Sequence, residues 1–152
     1  MKSLIICESV FQGNTKKVAD AMASVLEAKV VTLSDALNEE LSRYDLIGFG
    51  SGINGFKHYG VLLRFADGLQ DMSGKKAFVF STSEGGKDSY NNKLKGILEK
   101  KGFSVAGSFA CKGFDKMPYL GFIVKLVAPK GLNVGRPNEK DLEDAKAFAR
   151  GL

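Results

Sequence analysis

Short apolar runs recur along this chain, and each is followed by a stretch with helical spacing. Leu4 to Cys7, Val30 to Leu33, Leu46 to Gly50, Ala77 to Phe80 and Phe103 to Cys111 are the runs. A brief continuous apolar run bounded by polar residues fits a strand buried on both faces. Between the runs, Val18, Ala19, Met22, Ala23 and Leu26 fall on one helical stripe. So do Tyr59, Leu62, Leu63, Ala66 and Leu69, then Leu94, Ile97 and Leu98, and finally Leu142, Ala145, Phe148 and Ala149. Strands alternating with helices imply a parallel sheet covered on both faces, joined by right-handed crossovers. Only part of the fifth run is expected to pair.

Local signals set the boundaries. Ser34 is the expected cap of a brief helical piece carrying Ala36, Leu37 and Leu41. Gly102 is the expected stop of the fourth helix. Asn138 is the expected N-cap of the last, with Glu139 and Asp141 in its first turn. Residues 1–152 carry no linker, repeat or low-complexity segment, so one domain is expected. One connection breaks the rhythm. Lys112 to Pro137 runs 26 residues with seven Gly or Pro, and connections that long usually have a function or lack order. Its apolar patch, Phe122 to Ala128, is expected to pack as a short helix.

Composition removes several classes. The longest strongly apolar stretch, Tyr119 to Ala128, is interrupted by Lys125 and is too short to span a bilayer. The first residues are too short an apolar segment for a signal peptide, so a cytoplasmic location is expected. Two cysteines, Cys7 and Cys111, without a CxxC spacing, and one histidine, His58, give no metal-site pattern. Cys111 reads as a buried strand-end residue, and His58 as a surface residue at a helix start. Phe109 and Phe114 read as core. The net charge of +5 comes from scattered lysines rather than a basic run. No nucleic-acid partner is expected; the surplus is ordinary surface charge or a face for an acidic partner protein.

Ligands of an open α/β sheet bind beyond the carboxyl ends of its strands. Three loops lie there. The first, Glu8 to Thr15, precedes a helix whose unpaired amides and positive dipole end suit a phosphate. Gly13 permits close approach, and Ser9, Gln12, Asn14 and Thr15 offer side-chain donors. The competing reading is an ordinary cap by Asn14 or Thr15. The second loop contains GSGING, Gly50 to Gly55. It matches the dinucleotide fingerprint, but on the third strand and without the acidic residue at the next strand's end; the competing reading is a turn with positive φ at Asn54-Gly55. The third, Ser81 to Tyr90, contains Gly85-Gly86-Lys87, which resembles the end of a P-loop but has Ser81 for the first glycine and Asp88 for the final Ser or Thr.

Taken together these loops resemble the flavodoxin family. The resemblance rests on Gly13-Asn14-Thr15 opening the first helix, on the three strand-end loops and on the order of elements over nearly the whole chain. It implies a flavodoxin-like three-layer sandwich, a five-stranded parallel sheet of order 2-1-3-4-5 with helices on both faces, and one noncovalent FMN. By that resemblance Ser9, Val10, Phe11, Gln12, Gly13, Asn14 and Thr15 would hold the phosphate. Ser51, Gly52, Ile53, Asn54, Gly55 and Phe56 would flank the isoalloxazine, with Phe56 or Tyr59 as stacking rings. Thr82, Ser83, Glu84, Gly85 and Gly86 would border its polar edge. The chain departs from the family's hydroxyl-rich phosphate loop at Val10 and Gln12.

The implied role is electron transfer between redox partner proteins. The alternative is an FMN-dependent oxidoreductase acting on a quinone or porphyrinogen-like substrate under the 112–137 loop, and a third reading is a regulatory module without cofactor. With FMN bound, the functional reading of His58 is a proton donor at the flavin edge or on the substrate side. Lys57, His58 and Lys87, set against Glu84 and Asp88, lead to an expected flavin potential less negative than in acidic flavodoxins.

Overall fold

The structure is a computed structural model that describes residues 1–10, 12–115, 126–128 and 130–152. Its sheet is built from β1 (Ser3–Glu8), β2 (Lys29–Val31), β3 (Leu46–Asn54), β5 (Lys76–Ser83) and β6 (Ser104–Lys112), all parallel, in the order β2-β1-β3-β5-β6. This is the expected five-strand order. A short β4 (Lys57–His58) is added antiparallel to the end of β3. The helices are α1 (Asn14–Leu26), α2 (Leu33–Ala36), α3 (Gly60–Asp67), α4 (Asn92–Lys100) and α5 (Glu139–Arg150).

Strand side chains alternate between faces, so each strand feeds two cores. Leu4, Ile6, Ile47, Phe49, Ala77 and Val79 pack against Leu62, Leu63 and Ala66 of α3 and Leu94 and Leu98 of α4. Ile5, Cys7, Leu46, Phe78 and Phe80 pack against Val18, Ala19 and Met22 of α1 and Ala145 and Ala149 of α5. That alternation is why the runs read as continuously apolar.

On the second face β3 offers glycine where β5 offers phenylalanine. Gly48 pairs with Phe78, and Gly50 with Phe80. A Cβ on Gly48 would meet the Phe78 ring at 2.3 Å, and one on Gly50 the Phe80 ring at 2.2 Å. The rings lie over the bare backbone of their neighbour strand.

Several boundaries differ from expectation. Thr32, not Ser34, caps α2, its Oγ1 accepting from Asp35 N at 3.1 Å. Strand β6 pairs along nearly its whole length, passing a register shift opposite Ala77 and Phe78 that absorbs one residue. β3 runs on to Asn54 and turns back through Gly55 (φ 59) and Phe56 (φ 65) into β4. Two successive positive φ values mark the two-residue hairpin turn that matches strand twist, so the glycine-rich segment is a hairpin. Asn138 caps α5 as expected. Its side chain accepts from Asp141 N, and Asp141 returns a bond to Asn138 N, closing a capping box. Asp141 also takes a two-pronged bond from Arg136 at 2.5 and 2.6 Å. Burial pushes the Asp141 carboxyl up, but the hydrogen bonds from Arg136 and Asn138 outweigh it and leave the carboxyl below its ordinary value.

Candidate functional site

The carboxyl ends of β1, β3, β5 and β6 converge on a cavity of about 340 Å³, within the size range of small-molecule and cofactor pockets. Its wall comes from four places. Ser9, Val10, Gln12, Asn14 and Thr15 follow β1, and Gly52, Ile53, Asn54 and Tyr59 come from the β3 hairpin. Thr82, Ser83 and Glu84 end β5, and Gly113, Phe114 and Asp115 follow β6.

The start of α1 leaves its first amides without a side-chain cap among the described residues. Gln12 (φ 46) and Gly13 (φ 68) both take left-handed backbone, and Gly13 occupies the cap position. Among the described residues no side chain caps the helix, and no acidic residue sits in its first turn. The reading of Asn14 or Thr15 as an N-cap is therefore overturned: both lie inside the helix, buried. Orphan amides at a helix start need an acceptor, and nothing in the side chains described supplies one.

The hydrogen bonds of these two residues also define what they can offer. Asn14 Nδ2 donates to the Phe114 carbonyl at 2.7 Å, while Asn14 Oδ1 is buried with no partner. Asn14 thus presents an acceptor, which suits a ligand hydroxyl and not an anion. Thr15 Oγ1 and Thr82 Oγ1 are 2.7 Å apart. Two hydroxyls sharing one bond use one of their two protons, so one donor is left for the cavity.

Tyr59 caps the other side. A Cβ on Gly52 would lie 2.2 Å from the Tyr59 hydroxyl, so only glycine lets the phenol lie across the strand. Burial raises the Tyr59 pKa, and Asp115 and Glu8 push in the same direction. Two carboxylate residues, Glu84 and Asp115, line the cavity, and no lysine or arginine does among the described residues.

Some expected site residues stand apart from the cavity. Ser51 is fully buried behind the wall. Gly55 and Phe56 form the hairpin tip, where the Phe56 ring is 78% exposed and 5.8 Å from that of Tyr90. Gly13, Gly85 and Gly86 lie in the adjoining turns and do not line the cavity. Phe11 and the expected short helix, for the most part, fall outside the described residues. Gly113, Phe114 and Asp115 line the cavity; only the oxidoreductase reading had placed their loop over the site, and their signal was the end of the fifth run, the same kind of strand end that marked the other loops. Phe114 is thus a wall residue, whereas Phe109 packs on Phe148 of α5 at 5.8 Å. Cys111 is a buried strand-end residue, as expected.

His58 is neither on the surface nor at a helix start. It is 1% exposed, on β4, with Nδ1 2.7 Å from Ser51 Oγ and Nε2 2.8 Å from Asn91 Oδ1. Burial pushes its pKa down to about 4, against the hydrogen bond to Asn91. It is neutral at pH 7 and adds no positive charge to the site. As the pH falls from about 6.5, the unfolded chain takes up a proton that the folded chain refuses until about 4. Stability is expected to fall by roughly 3 kcal/mol across that window. Denaturant titrations at stepped pH measure it, and a His58→Gln variant should lose most of the slope.

The family model for the flavodoxin domain matches residues 4–127. An uncharacterized protein of Methanocaldococcus jannaschii is 38% identical, over 100% of this chain and 98% of that protein. Oxidised flavodoxin 2 of Bacillus cereus superposes with a TM-score of 0.72 at 22% identity, covering 99% of this chain and 97% of that one. A flavoprotein of Lactobacillus acidophilus, solved in complex with FMN, gives 0.57 at 18% identity over 70% of this chain and 91% of that one. A parallel sheet of this order, a cavity at its carboxyl edge and a match over most of the sequence lead to one assignment: the chain belongs to the flavodoxin domain family.

Proposed function

We propose that the cavity holds one noncovalent FMN and that the chain passes electrons between redox partner proteins. The observation that carries this is the uncapped, acid-free start of α1 opening on the cavity. Such a helix end binds a phosphate through amides alone, so the hydroxyls missing at Val10 and Gln12 are not required. Bound FMN would supply one- and two-electron chemistry of its own. The chain's residues would fix and tune it. The amides of Asn14 and Thr15, at the cavity wall, would hold the phosphate, and Asn14 Oδ1 would accept from a ribityl hydroxyl. The free proton of the Thr15–Thr82 pair would donate. Gly52, Ile53 and Tyr59 on one side and Glu84, Gly113 and Phe114 on the other would bound the ring.

The charges revise the expected potential. His58 is neutral, and among the described residues the charged side chains lining the cavity are those of Glu84 and Asp115. Negative charge beside a ring disfavours its anionic reduced form, so a strongly negative potential is expected for the last electron. FMN titration followed by visible absorbance and flavin fluorescence tests the reading. The expected result is a one-to-one complex whose redox titration gives that negative value. A chain that leaves FMN free at micromolar concentration would overturn the assignment.

A further inference from the structure

Behind the cavity wall runs a closed chain of buried polar groups that neither packing nor cofactor contact accounts for. Ser51, His58 and Asn91 are each at most 1% exposed. Asn91 fixes one end. Its Nδ2 donates to the Phe109 carbonyl and to Asp88 Oδ1, both at 3.1 Å. Its Oδ1 therefore faces His58, and His58 Nε2 must carry a hydrogen to bond it at 2.8 Å.

The other end contains a conflict of protons. Ser51 Oγ lies 2.7 Å from the Gly52 carbonyl and 2.7 Å from His58 Nδ1, and it accepts from Tyr59 N at 3.2 Å. A serine hydroxyl has one proton. If His58 is neutral, with its hydrogen on Nε2, Nδ1 is an acceptor and takes the Ser51 proton. The Gly52 carbonyl then has no hydroxyl donor. If His58 is protonated, Nδ1 donates to Ser51 Oγ, and the Ser51 proton turns to the Gly52 carbonyl. The two arrangements exclude each other, and both fit the same heavy-atom positions.

Gly52 and Ile53 line the cavity, so the peptide between them belongs to the wall. We propose that Ser51 is a two-position hydroxyl relay through which the protonation of His58, a positioning residue, decides whether the Gly52–Ile53 peptide of the cavity wall is pinned from behind or left without that bond. With FMN in the cavity, which rests on the function proposed above, the relay ties the polarity of the wall peptide to a proton held behind it.

The charges around His58 come from each element packed on β4. Asp88, in the Asp88–Asn91 turn, reaches it through Asn91 and is itself bonded by Ser108 Oγ at 2.6 Å. Lys95 of α4 lies 3.9 Å from Asp88. Lys57 neighbours it on β4, and Tyr59 bonds the same serine oxygen. Asp88 favours the protonated ring, and the lysines oppose it. Burial holds the resting state neutral, with the Gly52 carbonyl released.

The experiment uses nitrogen-15 NMR of the apo chain, so it stands whether or not FMN binds. At neutral pH the His58 ring should show its hydrogen on Nε2. On acidification within the folded range, the ring and the Ile53 amide should titrate with one shared midpoint, because an amide nitrogen senses the bond made by the preceding carbonyl. In Ser51→Ala the ring should still titrate while the Ile53 response is lost; Ser51→Thr, which keeps the hydroxyl, should retain it. A hydrogen on Nδ1 at neutral pH overturns the relay. So does an Ile53 amide that ignores His58 in the wild-type chain, or one that still follows it in Ser51→Ala. A ring that stays neutral until the chain unfolds overturns it too, since the hydroxyl then has one position. In the FMN complex, the pH dependence of the potential should diminish in Ser51→Ala and persist in Ser51→Thr.

Discussion

Riboflavin is expected to bind this chain about a thousandfold more weakly than FMN. The two ligands share the ring and the ribityl chain and differ by the phosphate alone. If the start of α1 grips that phosphate, the difference equals its net interaction with orphan amides. Charge-assisted hydrogen bonds contribute roughly 1.5–3 kcal/mol each, and a few of them exceed the approximately 4 kcal/mol that a thousandfold ratio requires. A second measurement isolates the charge. Gln12 is exposed at the cavity rim one residue before the cap, so Gln12→Glu should fold normally. At about 5–6 Å and an effective dielectric near ~40, the new carboxylate would oppose a phosphate dianion by about 2–3 kcal/mol. FMN binding should weaken about a hundredfold, more at low salt, while riboflavin binding changes little. Fluorescence-quenching titrations measure all four affinities. Equal affinity for the two ligands, or equal weakening of both by the variant, would place the phosphate away from α1 and remove the basis of the proposed function.

Strand order, two-faced burial and most of the cavity's loops were legible because periodicity and strand-end position are properties of the chain's pattern. Leu4 to Cys7 reads as a buried strand whatever surrounds it. Capping was less legible. Asn14 and Thr15 have the right chemistry for an N-cap, yet Gly13 takes that position, and their side chains reach Phe114 and Thr82, one hundred and 67 residues away. Partners so distant leave no local signal. His58 was misread for the same reason. Its neighbours Lys57 and Tyr59 suggest a solvent-facing turn, but β3 extends past Gly50 and folds back, and the hairpin carries His58 inward to Ser51 and Asn91. The register that does this depends on positive φ at both Gly55 and Phe56, and phenylalanine gives no warning of it. The positive charge expected from His58 failed with it, since burial keeps the ring neutral.

The alternation of glycine and phenylalanine between β3 and β5 carries the largest expected effect on stability. Phe78 is fully buried, with its ring 6.0 Å from that of Phe80 and 6.1 Å from that of Phe148. Phe78→Ala should cost about 3–5 kcal/mol, the transfer of the ring plus the void it leaves. In a domain of this size that lowers Tm by about 10 °C or more. Gly48→Ala should also destabilise, by about 1–3 kcal/mol, because its methyl would meet the Phe78 ring at 2.3 Å. The double variant distinguishes this account from general strand disruption. Once the ring is gone, the alanine at 48 has room and fills part of the void, so the two losses should sum to more than the loss in the double variant, with a coupling of about 1–2 kcal/mol. Gly50 and Phe80 provide an independent repeat of the cycle, with 2.2 Å in place of 2.3 Å. Thermal and urea unfolding of the four chains in each cycle measure the coupling. Additive losses would mean that the rings do not rest on the glycine backbone. Two residues beyond Gly50 and Phe80, and four beyond Gly48 and Phe78, the same pair of strands delivers Gly52 and Thr82 to the cavity wall. A ring that holds β3 against β5 therefore also sets the width of the slot, and Phe80→Ala should weaken FMN binding more than Phe78→Ala, because it lies one strand repeat nearer the wall.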